Sequence, residues 1–253
     1  MFEAVLWGII QGLTEFLPIS SSGHLVLVPA LFGREGPDLA TSAILHVGTL
    51  AAVLVYYRHE VVEILRLTTD GRRLLRFLVA GTIPAAAAGL LLREQFDALN
   101  EQPEWVAVAM IAMGVVMILT RFVDAGNRRA DDVRIRDALV MGLGQAMALI
   151  PGVSRSGATI ASGMVEGFER RASANLAFLL GIPAIAGAGL INFIDLAGSD
   201  SGGISLALLV GMVVAGLVGY AAIAGLLGLI RRTGLAPFGW YCVGFGTLAL
   251  LLI

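Results

Sequence analysis

The chain has no lysine and only one cysteine, Cys242, among its 253 residues, and only 14% of it is charged. A single cysteine excludes an internal disulfide framework and leaves Cys242, in the last apolar segment, a packing role. The shortage of charge excludes an ordinary soluble domain, in which about a quarter of residues are charged. A start that is basic is missing too: "MFEAVLWGII" is acidic where a secretory leader begins with positive charge, so the N-terminus is expected to belong to the fold. What is present is apolar. With 57% hydrophobic residues and a mean hydropathy of +0.86, the chain reads as one integral membrane domain over 1–253, with no soluble domain of useful size left over and no nucleic-acid partner expected.

All seventeen basic residues are arginines, and fourteen of them fall in four regions, 58–76, 121–136, 170–171 and 231–232. The positive-inside rule places these in the cytoplasm. Only Arg34 and Arg93 lie in the loops left for the outer side, so both termini are expected outside. Six crossings fit between the loops, near 38–57, 77–92, 105–123, 172–194, 204–230 and 235–253. The stretch 58–76 is expected as an interfacial helix. Residues 1–33 and 138–168 are each too long for one crossing and are broken in the middle, by Pro18 and serines in one and by Pro151 and Gly152 in the other. Both are expected to be re-entrant hairpins with tips at mid-membrane, where irregular backbone is tolerated only if protein or a watery cavity surrounds it.

A shift of 134 residues lays Gly8 on Gly142, Gln11 on Gln145, Ser20 on Ser154, Ser22 on Ser156 and Gly23 on Gly157. The expected fold class is therefore all-α polytopic, with repeat one at about 1–123, a cytoplasmic loop at about 124–137 and repeat two at about 138–253. Each half holds one re-entrant helical hairpin and three transmembrane helices. Because three crossings is an odd number, the halves insert upside down relative to each other, as an inverted-topology repeat.

The tips concentrate polar groups that are costly in hydrocarbon. "PGVSRSGATI" puts Arg155 amid an apolar hairpin, and an intramembrane arginine marks function by default. Its planar fork suits phosphate or carboxylate. Ser154, Ser156 and Thr159 add hydroxyls, and a half-helix starting near Ser156 aims free N–H groups at an anion. "QGLTEFLPISSSGHL" supplies Gln11 and Glu15, four apart on one helix face, then Ser20, Ser21, Ser22 and His24. A serine nucleophile needs a base within reach, and His24 is the natural candidate. Glu15 is suited to orient that histidine, to take a proton or to hold a divalent cation against phosphate oxygens; a contact with Arg155 that locks the empty site is compatible with each. His46 lies in the first full span and carries no assigned role.

At these residues the chain resembles the undecaprenyl-diphosphate phosphatases associated with bacitracin resistance, over essentially its whole length. The resemblance implies Gln11 and Glu15 as the first motif, with Glu15 the essential acid or metal-associated carboxylate. It implies Ser21 as nucleophile, His24 as its proton-transfer partner, and Arg155 on the diphosphate with Ser154, Ser156 and Thr159 around it; Gln11, Ser20 and Ser22 are expected to bind substrate as well. It also implies a divalent cation, magnesium or calcium, with Glu15 as its ligand, and a polyprenyl diphosphate substrate reached among membrane lipids. A second copy of the chain, in a homodimer, stays open as a partner. The implied place is the bacterial plasma membrane, with the site opening to the outer face and the lipid carrier returned to cell-wall synthesis. Gln11 stands where many members carry glutamate, and His46 where glutamine is frequent. A secondary transporter or lipid flippase is the rival expectation, since inverted repeats with broken helices also serve alternating access.

Overall fold

The computed structural model describes residues 1–123, 126–197 and 205–253. Residues 124 and 125 of the expected loop, and residue 204 at the expected start of one crossing, lie outside the described residues. Twelve α-helices are described. The first hairpin is α1 (Phe2–Phe16) and α2 (Ser21–Ala30), followed by α3 (Leu39–Tyr56), α4 (Arg58–Leu65), α5 (Thr69–Leu91), α6 (Arg93–Asn100) and α7 (Pro103–Leu119). The second hairpin is α8 (Ile135–Met147) and α9 (Arg155–Val165), followed by α10 (Arg170–Ala197), α11 (Leu206–Thr233) and α12 (Ala236–Leu252). The described residues form no strand, only an isolated bridge between Arg128 and Phe168.

Length and apolarity make this a multi-pass membrane protein. Four helices, α5, α7 with its following turn, α10 and α11, are each long and apolar enough to cross a membrane. A fifth candidate is α3 taken with α4, from which it bends by 80°, while α12 is apolar but shorter, at 17 residues.

The breaks in the hairpins have local causes. Proline disfavours helix in the residue before it, and Leu17, ahead of Pro18, is extended with φ −63° and ψ 140°. Ser20 then caps α2 by accepting from the Gly23 N–H at 3.1 Å. In the second hairpin Gly152 takes φ +93°, a conformation that suits glycine, and Ser154 caps α9 by accepting from the Gly157 N–H at 3.2 Å. The expected hairpins at 1–33 and 138–168 therefore form as two helices with an irregular tip.

The interfacial helix expected over 58–76 is shorter. It ends at Leu65, and the arginines at 72, 73 and 76 belong to the first turns of α5. Thr68 caps that helix, accepting from the Gly71 N–H at 3.0 Å, and Asp70 pairs with Arg73 at 3.0 Å. A threonine cap followed by an acid is a helix-start signal, and it overrides the arginine-rich composition. The loop that carries Arg93, expected outside, also folds, as α6.

Each hairpin leans on the other half. Helix α1 packs on α11, α8 on α5, α3 on α10 and α7 on α12. At the last of these contacts a Cβ on Gly114 would stand 2.8 Å from the Gly239 carbonyl oxygen, so the two backbones touch. The segment joining the halves is tied to the base of the second hairpin: Arg128 reaches Asp137 at 2.6 Å and 3.0 Å and the Glu166 carbonyl at 2.8 Å, with its guanidinium over the Phe168 ring at 4.2 Å. Burial alone would raise the pKa of the Asp137 carboxyl, but the hydrogen bonds from Arg128 and from the Arg134 N–H outweigh it and hold it below its ordinary value.

Candidate active site

Both tips end against one buried carboxylate. Glu15, 6% exposed, is the last residue but one of α1. Its Oε1 accepts from Arg155 Nη2 at 2.6 Å. Its Oε2 accepts from Ser21 Oγ at 2.8 Å and from Gln11 Nε2 at 3.0 Å. A hydroxyl from α2, a guanidinium from α9 and an amide from α1 thus share one acceptor group. Among the described residues, Glu15 is the one carboxylate lining the inner cavity here, whose volume is about 190 Å³. Ser20, Ser21, Ser22, Ser154, Arg155 and Ser156 also line it.

Arg155 is held at both ends of its fork, the second by Nη1 donating to the Gly181 carbonyl of α10 at 3.1 Å. A side chain at 181 would collide with the guanidinium; the glycine is what admits it. The tips are also joined to each other. Ser156 Oγ donates to the Leu17 carbonyl at 3.1 Å, and the Gly152 N–H donates to Ser22 Oγ at 3.3 Å. Thr159 does not line the cavity; its hydroxyl donates to the Arg155 carbonyl at 2.7 Å and so steadies the first turn of α9.

The expected Ser21–His24 pairing is not made. The Ser21 hydroxyl is spent on Glu15, and both nitrogens of His24 are taken elsewhere: Nδ1–H donates to the Ser20 carbonyl at 2.7 Å, and Nε2 meets the Tyr241 hydroxyl of α12 at 2.7 Å. The ring is stacked on Phe245 at 4.8 Å between centroids and is absent from the cavity lining. Ser21 and His24 are three apart on α2, close enough in sequence to suggest a pair, but the aromatic residues of α12 draw the imidazole the other way. Cys242, on the same helix, is buried and donates to the Pro18 carbonyl at 3.7 Å.

Several lining residues had no assigned site role, and two of them, His46 and Gln145, bring polar side chains of note. His46 Nε2 is 3.9 Å from Glu15 Oε2, with Nδ1–H donating to the Ser42 carbonyl at 2.7 Å. It lines both the inner cavity and an outer one of about 700 Å³, which continues past Ser21 and Ser22 to Arg34, Glu35 and Glu101. Gln145 is the other; the sequence signals it only as the match of Gln11.

A resident divalent cation needs several oxygen or nitrogen donors. Among the described residues, no group of three or more His, Cys, Asp and Glu stands together. Both oxygens of Glu15 are engaged, one by a cation. The side chains at this site therefore do not fit a metal held by protein alone.

The bacitracin resistance protein BacA family model matches residues 4–248. The undecaprenyl-diphosphatase of Thermobifida fusca is 40% identical, over all of this chain and 90% of its own length. That of Desulforudis audaxviator is 41% identical over 99% of this chain and 97% of its own length, and that of Geobacter sulfurreducens 41% over 95% and 94%.

Proposed function

The chain belongs to the bacitracin resistance protein BacA family, and from that premise we propose that it hydrolyses undecaprenyl diphosphate to undecaprenyl phosphate and inorganic phosphate. The observation that carries the proposal is the Glu15 carboxylate, which gathers a serine hydroxyl from one tip and a guanidinium from the other.

The roles follow from that geometry. Without substrate the half-buried Arg155 compensates the buried charge of Glu15. The entering diphosphate takes over the guanidinium, whose fork matches phosphate oxygens, and leaves Glu15 free to receive the Ser21 proton. Ser21 Oγ attacks the terminal phosphorus as its proton passes to Glu15 Oε2. The bond to the bridging oxygen breaks, undecaprenyl phosphate leaves, and water then releases phosphate from the serine. Helices α2 and α9 both start at the tips, so their first-turn N–H groups add positive potential where phosphoryl charge develops. His24 supports this arrangement by fixing the Ser20 carbonyl and, through Tyr241, the position of α2 against α12. A divalent cation, were one bound, would be held by the substrate's phosphates rather than by protein side chains alone and would neutralise phosphoryl charge.

We further propose that the halves are inverted repeats, that the site opens outward through the larger cavity and that both termini lie outside. Supporting this, the outer cavity runs to Arg34, Glu35 and Glu101, on the loops with few arginines. A cysteine label at Gln102 is expected to react from outside and one at Asn127 only from inside; the opposite pattern overturns the orientation.

Phosphate release by the purified chain supplied with undecaprenyl diphosphate tests the activity. Ser21→Ala is expected to lower kcat by about 10³-fold, roughly 4 kcal/mol of barrier, while still binding the lipid. Full phosphatase activity in that variant would replace serine attack with direct attack by water.

A further inference from the structure

Gln11 and Gln145 each stand nine residues before the capping serine of their hairpin, Ser20 and Ser154. Both side-chain carbonyl oxygens are buried without a hydrogen bond, but the amide nitrogens differ. Four residues after Gln11 comes Glu15, which accepts from its amide at 3.0 Å. Four residues after Gln145 comes Leu149, which offers no acceptor. The second amide is consequently left without its partner: Nε2 and Oε1 of Gln145 are both buried and make no hydrogen bond. The residue is 2% exposed and lines the inner cavity beside Arg155 and Ser154.

A buried amide with neither end bonded is a net cost to the fold, and two glutamines at matching positions make a random leftover a poor account. The cavity that Gln145 lines is the one that contains Ser21 and the guanidinium. A primary amide there presents two N–H donors and one acceptor. That set matches a phosphoryl group, whose unprotonated oxygens accept and whose hydroxyl, when protonated, donates.

We propose that Gln145 is a substrate-binding residue: its Nε2–H groups donate to oxygens of the terminal phosphoryl group, on the side supplied by the second hairpin. The proposal rests on the phosphatase assignment above. It gives the leucine at 149 a purpose, because a carboxylate at that position would hold the amide, as Glu15 holds Gln11, and would also repel the phosphate. The two halves have thus kept one amide position for two uses, one orienting the base and the other facing the ligand.

Gln145→Leu and Gln145→Glu in the full chain separate a ligand-binding amide from a structural one. Leucine removes an unbonded polar group from a buried position, so that variant is expected to melt no lower than wild type without substrate, while KM for undecaprenyl diphosphate rises at least tenfold. Glutamate puts a negative charge toward the phosphate and is expected to raise KM at least a hundredfold. A Gln145→Leu protein with wild-type KM overturns the proposal, as does one that melts lower with KM unchanged. If the wild-type chain itself releases no phosphate from the lipid diphosphate, the phosphatase assignment falls instead.

Discussion

The two hairpin tips are built alike and equipped differently. In Ser20–Gly23 and in Ser154–Gly157, the first serine caps its helix through the glycine N–H, at 3.1 Å and 3.2 Å, and its hydroxyl lies 3.3 Å from that of the third residue in both. Between those serines stands Ser21 in one tip and Arg155 in the other. One scaffold therefore presents a hydroxyl from one side and a fixed positive charge from the other. The segments upstream divide in the same manner, with Glu15 on α1 and Leu149 at the matching place in the turn after α8. Two similar tips supply two helix starts, and single side-chain differences make them complementary halves of the proposed site.

Breaking the electrostatic half has the largest expected effect. Arg155→Ala removes the proposed phosphate clamp and also leaves Glu15 buried without its cation. Turnover should fall at least 10³-fold, and stability by about 3–5 kcal/mol, as when one partner of a buried ion pair is lost. Adding Glu15→Gln should restore much of the melting temperature and none of the activity; a double variant as unstable as the single would show that the pair does not hold the tips.

A smaller effect tests His24. Tyr241→Phe deletes the hydroxyl that occupies Nε2, which is worth about 1 kcal/mol as a hydrogen bond. A supporting role for His24 predicts a kcat loss below about tenfold, roughly 1.4 kcal/mol of barrier, together with a lower melting temperature. A rise in kcat would mean that freeing the ring restores a base.

The finest comparison concerns the caps. Ser20 holds φ +69°, in the region that favours glycine, whereas Ser154 holds φ −69°. Glycine at either position loses the side-chain acceptor, and at 20 alone it relieves backbone strain, a conformation costing about 1–3 kcal/mol. Ser20→Gly should therefore melt higher than Ser154→Gly. Equal melting temperatures would remove strain from the account of the first tip.

Much of this was legible in the sequence because proline, glycine and serine punctuate helices by local physics. Pro18, Pro151 and the capping serines mark both hairpins; Glu15 and Arg155 stand out as charges in apolar segments, while Ser21 is singled out among its neighbouring serines only by the family resemblance. What escaped depended on distant packing. The direction of the His24 ring is set by Tyr241 and Phe245, more than two hundred residues away. His46 reaches Glu15 only because α3 packs beside α1. The start of α5 was obscured by its arginines, which suggested an interface although Thr68 and Asp70 begin a helix.

The inner chamber, at about 190 Å³, offers space for a head group and none for a polyprenyl chain of many carbons. The isoprenoid chain must therefore lie outside that chamber, away from Glu15 and Arg155, so shorter or longer carriers are expected to share one chemical rate once docked.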